Sequence, residues 1–413
     1  MAVDQLTRST ADSALKEFYL PGIRNILNSE VFTLSQMEQN TEDIEGRRAV
    51  LSINTLRNSG VGARAEGGQL PDAGHQGYAE ERVTLKYNYG RIQLTGPVIR
   101  SMGSDQGSFT RAIQSETAGV TRDLKNDINR QCFGDGSGAI APVGTTTTAN
   151  TFQITPFTAG AANTRQITLG MQIDIGTAGL AATSAVGRKV TAYNPSTGAG
   201  TFDGAAVSIA ASSFIFRAGS GGVAGGAGQK EITGLSAQIT NSGVLWNIDP
   251  ANAPDWVSYV QGSVGAVTEA PFLKAAQEVN VRSGEELNLW ITTAGVQRAY
   301  AATLSNLRRF NQPTELSGGY KGLDMSNTNQ GSNGSNTVSM YWDKDCPPST
   351  AFGLTTRRFQ WYKMSDWEFM EEDGAVLNRV YNYDAYETTL FLYSEIATDG
   401  RNAHAQLSGL TEV

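Results

Sequence analysis

Residues 62–78 read GARAEGGQLPDAGHQGY, residues 85–95 read LKYNYGRIQLT, and residues 109–136 read FTRAIQSETAGVTRDLKNDINRQCFGDG. In the first stretch Gly62, Gly67, Gly68, Pro71, Gly74 and Gly77 punctuate the chain too often for a helix or a regular strand. It reads as an extended, turn-filled approach. Around the second, Val83, Leu85 and Tyr87 alternate with polar residues, as do Ile92 and Leu94. This predicts strands over 82–87 and 91–95, joined at Asn88-Tyr89-Gly90 into a hairpin that projects from a compact body. Such a pair is marginal alone. The third stretch is the clearest helix: Ile113, Val120, Leu124 and Ile128 share one face, Ser108 is a suitable N-cap, and Gly134 is placed to stop it. It would run roughly 35 Å.

Working outward, residues 1–60 resemble an arm and not a domain. Leu15, Phe18, Tyr19, Ile23, Ile26 and Leu27 recur at helical spacing, but Pro21-Gly22 interrupts them. The apolar faces are too small for an independent core. Residues 137–232 differ from their surroundings, with 16 glycines and only 8 charged residues in 96. Short β-like runs recur there between turn signals, which predicts an inserted small all-β domain, a barrel or sandwich. Its six aromatics (Phe152, Phe157, Tyr193, Phe202, Phe214, Phe216) read as core positions. Beyond it the pattern is mixed: helices over 271–282 and 294–309, the second capped by Thr293, a strand over 287–291, a Ser/Asn/Gly-rich loop tip over 326–336, strands over 338–342 and 352–361, and a final long strand over 386–396. The fold class is α+β.

Composition narrows the function. Glycine is 46 of 413 residues, about 11% against a usual ~7%, and charged residues are 17% against ~25%. Coiled coil, collagen and disordered tail are excluded. The net charge is -8, and basic residues cluster only in pairs such as Arg47-Arg48, Arg308-Arg309 and Arg357-Arg358, so gripping nucleic acid is not the main task. Two cysteines, Cys132 and Cys346, fit a reducing compartment. The first residues show no secretory h-region, and no apolar run is long enough to cross a membrane.

Catalytic constellations are sparse. The only histidines are His75, expected in a solvated loop, and His404 near the C-terminus, read the same way. Asp343, Asp345 and Cys346 fall short of a zinc set and read as a turn ended by Pro347-Pro348. Residues 221–230 fail as a phosphate loop because Gln229 separates Gly228 from Lys230. The acidic run Glu368, Glu371, Glu372 and Asp373 reads as a solvated face. The unusual features are all geometric, and parts that cannot bury themselves need neighbouring chains. No enzyme activity, cofactor or metal is expected.

The order of these parts resembles the major capsid protein of tailed double-stranded-DNA bacteriophages, the Hong Kong 97-type fold. Residues 62–78 and 85–95 are similar to that family's extended loop, and residues 109–136 to its spine helix. Leu289-Trp-Ile-Thr-Thr293 and Thr388-Thr-Leu-Phe-Leu392 match the later domains more loosely. The resemblance implies an N-terminal arm (1–60), an extended loop (61–105), the spine helix of a peripheral domain (106–136), the insertion (137–232), a peripheral and axial α/β region (233–375) and a C-terminal strand returning to the peripheral domain (376–413). It implies self-assembly into hexamers and pentamers of an icosahedral shell around phage DNA, in a virion assembled in the bacterial cytoplasm. Scaffold, portal and decoration proteins are the implied partners, with DNA packaged without sequence-specific binding and no membrane. Candidate subunit-interface residues are Arg64, Glu66, Tyr78, Lys86, Tyr89 and Arg91. Some family members cross-link subunits through a Lys-Asn isopeptide bond, but the sequence identifies no Asn partner for Lys86. Alternatives are an encapsulin-like compartment shell and a β-rich phage adhesin or tail protein.

Overall fold

The computed structural model describes residues 31–41, 44, 48–97, 106–156, 162–224, 228–306, 313–316, 320–326, 337–371, 376 and 378–413. The helical pattern of Leu15 to Leu27, the 326–336 loop tip beyond Ser326, Phe157, Glu372 and Asp373 lie outside these residues.

Two sheets carry the body. A seven-stranded sheet runs in the order Tyr259–Gln261, Ala405–Ser408, Thr350–Leu354, Leu289–Thr292, Thr337–Trp342, Tyr320–Ser326, Pro313–Leu316. Its central strand Leu289–Thr292 is buried on both faces, and its alternation assigns those faces. Trp290, with Val338, Met340 and Leu407, meets Phe272, Ala275 and Val279 of helix Glu269–Ser283 and Val296 and Tyr300 of helix Ala294–Asn306. Leu289 and Ile291 face the other way, into a second core. Helix ends follow their local signals. Gly284 adopts φ 72° and its N–H donates to the Asn280 carbonyl at 2.8 Å, and the Thr293 hydroxyl accepts the Val296 N–H at 3.3 Å.

The second core lies between that face and a six-stranded sheet built on the 14-residue strand Ala385–Thr398. Phe359, Trp361, Leu390, Leu392 and Ile396 of this sheet meet Leu289, Ile291, Phe352 and Leu354 of the other. Helix Gln106–Gln131 supplies Leu124 and Ile128, and the turn after it Cys132 and Phe133. The helix starts at Gln106, so the expected cap Ser108 is already inside it, and the left-handed residues after its end are Gly136 and Gly138, not Gly134.

The expected hairpin is not formed. Lys86–Thr95 is one unbroken strand that passes straight through Asn88-Tyr89-Gly90. It pairs antiparallel with Ala385–Thr398, from Ser394 opposite Lys86 to Thr95 opposite Ala385. The helix explains the glycine: a Cβ on Gly90 would lie 2.6 Å from Cγ1 of Val120. Gly90 admits the helix; it does not turn the chain. The two-stranded ribbon is instead Arg48–Leu56 paired with Gly77–Thr84, with 57–76 as its loop. Half of the ribbon thus comes from the segment assigned to the arm. Residues 31–40 are not a free arm either: Phe32, Leu34 and Met37 are buried in the second core, and Glu38–Asn40 adds a parallel strand beside Phe359–Lys363. At the other end, 376–413 divides between sheets, Ala385–Thr398 in the six-stranded one and Ala405–Ser408 in the seven-stranded one.

Between Ala139 and Arg217 six strands form one sheet, whose end strands meet through the Val143–Ile154 bridge. The sheet thus curls into a small barrel around Val143, Phe152, Ile154, Ile173, Ile175, Val190, Phe202 and Ile215. Among the aromatics, Phe152, Phe202 and Phe216 are buried, while Tyr193 and Phe214 are only half-buried.

Candidate functional site

The ribbon places the first candidate surface. Ala49, Leu51 and Ile53, with Ala79 and Val83, pack toward the body. Strand alternation sends the opposite set outward. Val50 (52% exposed), Leu56 (50%) and Tyr78 (72%) therefore face solvent, as do Val61 (84%) and Leu70 (79%) in the loop. The loop is pinched at its neck. Asn58 accepts the Gly60 N–H at 2.7 Å and donates to the Gly74 carbonyl at 3.2 Å. The two glycine backbones approach so closely that a Cβ on either would strike the other's nitrogen, at 2.7 and 2.6 Å. Arg64 and Glu66 lie beyond the neck, exposed, and Arg64 donates to its neighbour's carbonyl, Ala63, at 3.0 Å.

A second surface is the outer face of the six-stranded sheet. Tyr87, Tyr89 and Arg91 point away from the helix. Tyr393 lies edge-on to Tyr87 (5.0 Å between centroids) and Tyr89 (6.0 Å) and packs against Phe391 (4.9 Å), while Arg91 pairs with Glu387. Tyr87 and Tyr89 remain more than half exposed. Of the six candidate residues, Arg64, Glu66 and Tyr78 therefore share the ribbon, and Tyr89 and Arg91 share the sheet face. Lys86 joins neither. Its side chain turns inward, Nζ lies 3.5 Å from the Gln229 carbonyl, and its charge acts on buried Glu395. Burial pushes that carboxyl up to about 8, with Lys86 pulling the other way. Lys86 is half-buried at the start of the strand Lys86–Thr95 and not in the loop of the ribbon.

Sequence reasoning missed the polar joints at the end of the long helix. Asn129 donates to Asp343 at 3.1 Å and Asp345 at 2.8 Å. Asp343 also accepts the Thr33 N–H (3.2 Å) and hydroxyl (2.7 Å), and Asp345 accepts from Gln166 at 2.5 Å and pairs with Lys344 at 2.6 Å. This one turn ties together the helix, the 31–40 segment, the barrel and the seven-stranded sheet. Arg130 pairs with Asp127 (3.0 Å) and Glu231 (2.6 Å), and Arg217 of the barrel pairs with the same Asp127 (2.9 Å). Burial alone would raise the Asp127 carboxyl, but Arg130 and Arg217 outweigh it and hold it below the usual range. Gln131 donates to Asn88 at 2.9 Å and accepts the Ile232 N–H at 3.1 Å. The signal was present in the sequence: Asn126, Asp127, Asn129, Arg130 and Gln131 crowd polar side chains around Ile128, more than one solvated face of an amphipathic helix needs.

The remaining chemical candidates part ways. His75 is exposed in the ribbon loop. His404 is not solvated but fully buried: Nδ1 accepts the Thr355 N–H at 3.3 Å, and Nε2 lies 2.7 Å from the Thr398 hydroxyl. Burial, with Arg358 adding to it, pushes its pKa down to about 3. Cys346 is buried, 3.8 Å from the Thr350 carbonyl.

No protein-family profile matches the chain, and no curated protein does. Solved structures do. The capsid asymmetric unit of cyanophage A-1(L) matches with a TM-score of 0.59 at 12% identity, over 98% of this chain and 100% of that one. An encapsulin complex from Synechococcus elongatus PCC 7942 matches at 0.49 and 7% identity, over 99% and 96%. The capsid of a native GTA particle matches at 0.49 and 8% identity, over 99% and 100%. On the first of these likenesses, which spans both chains nearly end to end, the ribbon, long helix and two sheets make up the Hong Kong 97-type capsid fold.

Proposed function

We propose that the chain is the major capsid protein of a tailed double-stranded-DNA phage, a structural subunit that assembles into hexamers and pentamers of an icosahedral shell. The observation that carries this reading is the fold shared with the cyanophage A-1(L) capsid chain across its whole length. The ribbon supports it physically. A two-stranded sheet cannot bury both of its faces. Here the outer face and the loop present Val50, Leu56, Val61, Leu70 and Tyr78 to solvent, and another copy of the chain would cover them. Tyr87, Tyr89, Phe391 and Tyr393 offer an aromatic face of the kind such contacts use. The reading is structural and not catalytic, because Asp343, Asp345 and His404 are occupied in joints between elements. It includes assembly in the bacterial cytoplasm with scaffold, portal and decoration proteins as partners, and DNA enclosed without sequence-specific contacts.

Negative-stain microscopy of the expressed full chain tests it. Capsomers or closed shells are expected. Deleting residues 61–73, beyond the Gly60–Gly74 neck, should leave the circular dichroism spectrum native and abolish assembly. A full chain that stays monodisperse and monomeric at high concentration, or a loop deletion that still forms shells, would refute the reading.

A further inference from the structure

We propose that Glu81 is a proton-operated latch at the root of the ribbon: protonated, it lets the ribbon seat on the body, and ionised, it lifts the inner face away. Glu81 lies on the inward side of strand Gly77–Thr84, between Ala79 and Val83, and is 0% exposed. Neither carboxylate oxygen has a hydrogen-bond partner among the described residues. The same is true of the indole nitrogens of Trp246 and Trp256 and of one oxygen of Asp399. These groups share one seam. Trp246 packs with Ala49, Leu51 and Val83 on one side of Glu81, and Trp256 with Ile53 and Ala79 on the other.

Native interiors rarely leave several polar groups unpaired together, and each such group costs free energy while the surface stays closed. Among the described residues direct polar ties across the seam are few: the Arg82 N–H donates to the Trp246 carbonyl at 2.9 Å, and Asn247 donates to the Glu80 carbonyl at 3.4 Å. Beside it lies a cavity of about 280 Å³, walled by Ile53, Asn54 and Thr55 of the ribbon and by Trp256, Arg358 and Asp399 of the body. The ribbon has room to shift.

Among the described residues the surrounding charges leave an ionised Glu81 without a cation. Asp399 is the charge that acts on it, with the same sign. Arg358, across the cavity, is engaged by Asp399 at 3.0 Å and Glu285 at 2.7 Å, and Asp255 adds another carboxylate to the wall. On the ribbon's opposite face Arg82 pairs with Glu80 at 2.9 Å. Burial pushes the Glu81 carboxyl from its ordinary 4.5 to about 8, and Asp399 adds to the rise. The folded value lies above the free one, so seating is strongest below the free pKa and weakens as pH rises. The loss is about tenfold per pH unit and levels off above the seated value.

This latch operates within one subunit, so it stands or falls separately from shell formation. Hydrogen exchange of the Arg82 amide in the full chain, corrected for intrinsic rates, tests it. Protection is expected to fall about 50-fold between pH 6 and 8 in the unsubstituted chain. It should stay level in Glu81→Gln, which keeps the shape without the charge. Asp399→Asn should move the levelling-off to lower pH. Glu395 also titrates near this range, but it is held by the Thr233 and Ile396 N–H groups and is present in all three proteins, so it cannot produce a difference between them. A pH-independent Arg82 amide in the unsubstituted chain, or the same fall in Glu81→Gln, overturns the proposal. Should Glu81→Gln not fold, an Asp399→Asn profile identical to that of the unsubstituted chain overturns it.

Discussion

Replacing Gly90 with alanine puts the packing of the long helix to a direct test. The new Cβ would sit 2.6 Å from Cγ1 of Val120 and 3.7 Å from a methyl of Leu124. Carbon atoms pack at about 3.5–4.0 Å, so the first contact overlaps by about 1 Å while the second is ordinary. Val120 cannot easily yield, because a β-branched side chain in a helix has one strongly preferred rotamer. Nor can the strand, which is paired with Ala385–Thr398 along its whole length. Overpacking of this kind costs about 1–3 kcal/mol. The entropy lost by the unfolded chain when glycine becomes alanine returns about 0.4–1 kcal/mol, which leaves a net loss of about 1–2 kcal/mol. Val120 is only partly buried, so Val120→Ala should cost about 1 kcal/mol. The double variant removes the clash. It should be no less stable than Val120→Ala alone, a coupling of about 1–2 kcal/mol in its favour. Urea unfolding of the four proteins, compared at equal m-values, measures the cycle. Gly90→Ala within 0.5 kcal/mol of the unsubstituted chain would refute the reasoning, as would strictly additive losses.

Asp343→Ala should destabilise by about 3–5 kcal/mol, because it strands the Thr33, Asn129 and Asp345 donors in a buried site. Asp343→Asn should cost only about 1–2 kcal/mol, since it keeps one acceptor and removes repulsion from Asp345. Equal losses in the two variants by chemical denaturation would contradict the joint. For His404 the folded pKa is depressed from 6.5 to about 3, so its contribution is present above 6.5 and lost as pH falls toward 3. The stability difference between the unsubstituted chain and His404→Gln should shrink by about 1.4 kcal/mol per pH unit over that window; a difference that stays constant from pH 7 to 4 would show that the imidazole is not buried neutral.

The parts most legible in the sequence were those with local causes. Val120, Leu124 and Ile128 announce the helix because their spacing is its own periodicity, and Gly284 and Thr293 mark helix ends because the capping bonds reach only three or four residues. Strand partners are not local. Lys86 pairs with Ser394 across most of the chain, so Asn88-Tyr89-Gly90 carried the composition of a turn and none of its geometry. Arg48–Leu56 alternates clearly, yet its partner begins beyond a 20-residue loop, and it was grouped with the arm. His404 looked solvated because only the fold brings Thr355 and Thr398 to its two nitrogens. For the interface candidates, alternation separated Tyr89 and Arg91 from Lys86: one residue of offset turns a side chain to the opposite face of the sheet.

The low charge of the chain acquires a more specific meaning from where its buried charges stand. The apolar core of the barrel draws only on residues 140–215 and shares none with the cores of the two body sheets. The barrel can therefore complete its own interior, and its attachment to the body rests heavily on polar joints, Arg217 to Asp127 and Gln166 to Asp345, both at the end of the long helix. Both joints hold a largely buried carboxylate, one by a partly exposed arginine and one by a neutral amide; such contacts add little net stability over apolar packing, but breaking one takes a partner from a buried charge. They therefore specify one orientation more than they strengthen it. The same helix end binds Asn88 of the sheet strand, Glu231 of the returning chain and, through Asn129 and Asp343, Thr33. A chain organised in this way orients the barrel and both sheets from one point. It leaves the ribbon attached by a seam in which the Glu81 carboxylate and the Trp246 and Trp256 indole nitrogens find no partner among the described residues.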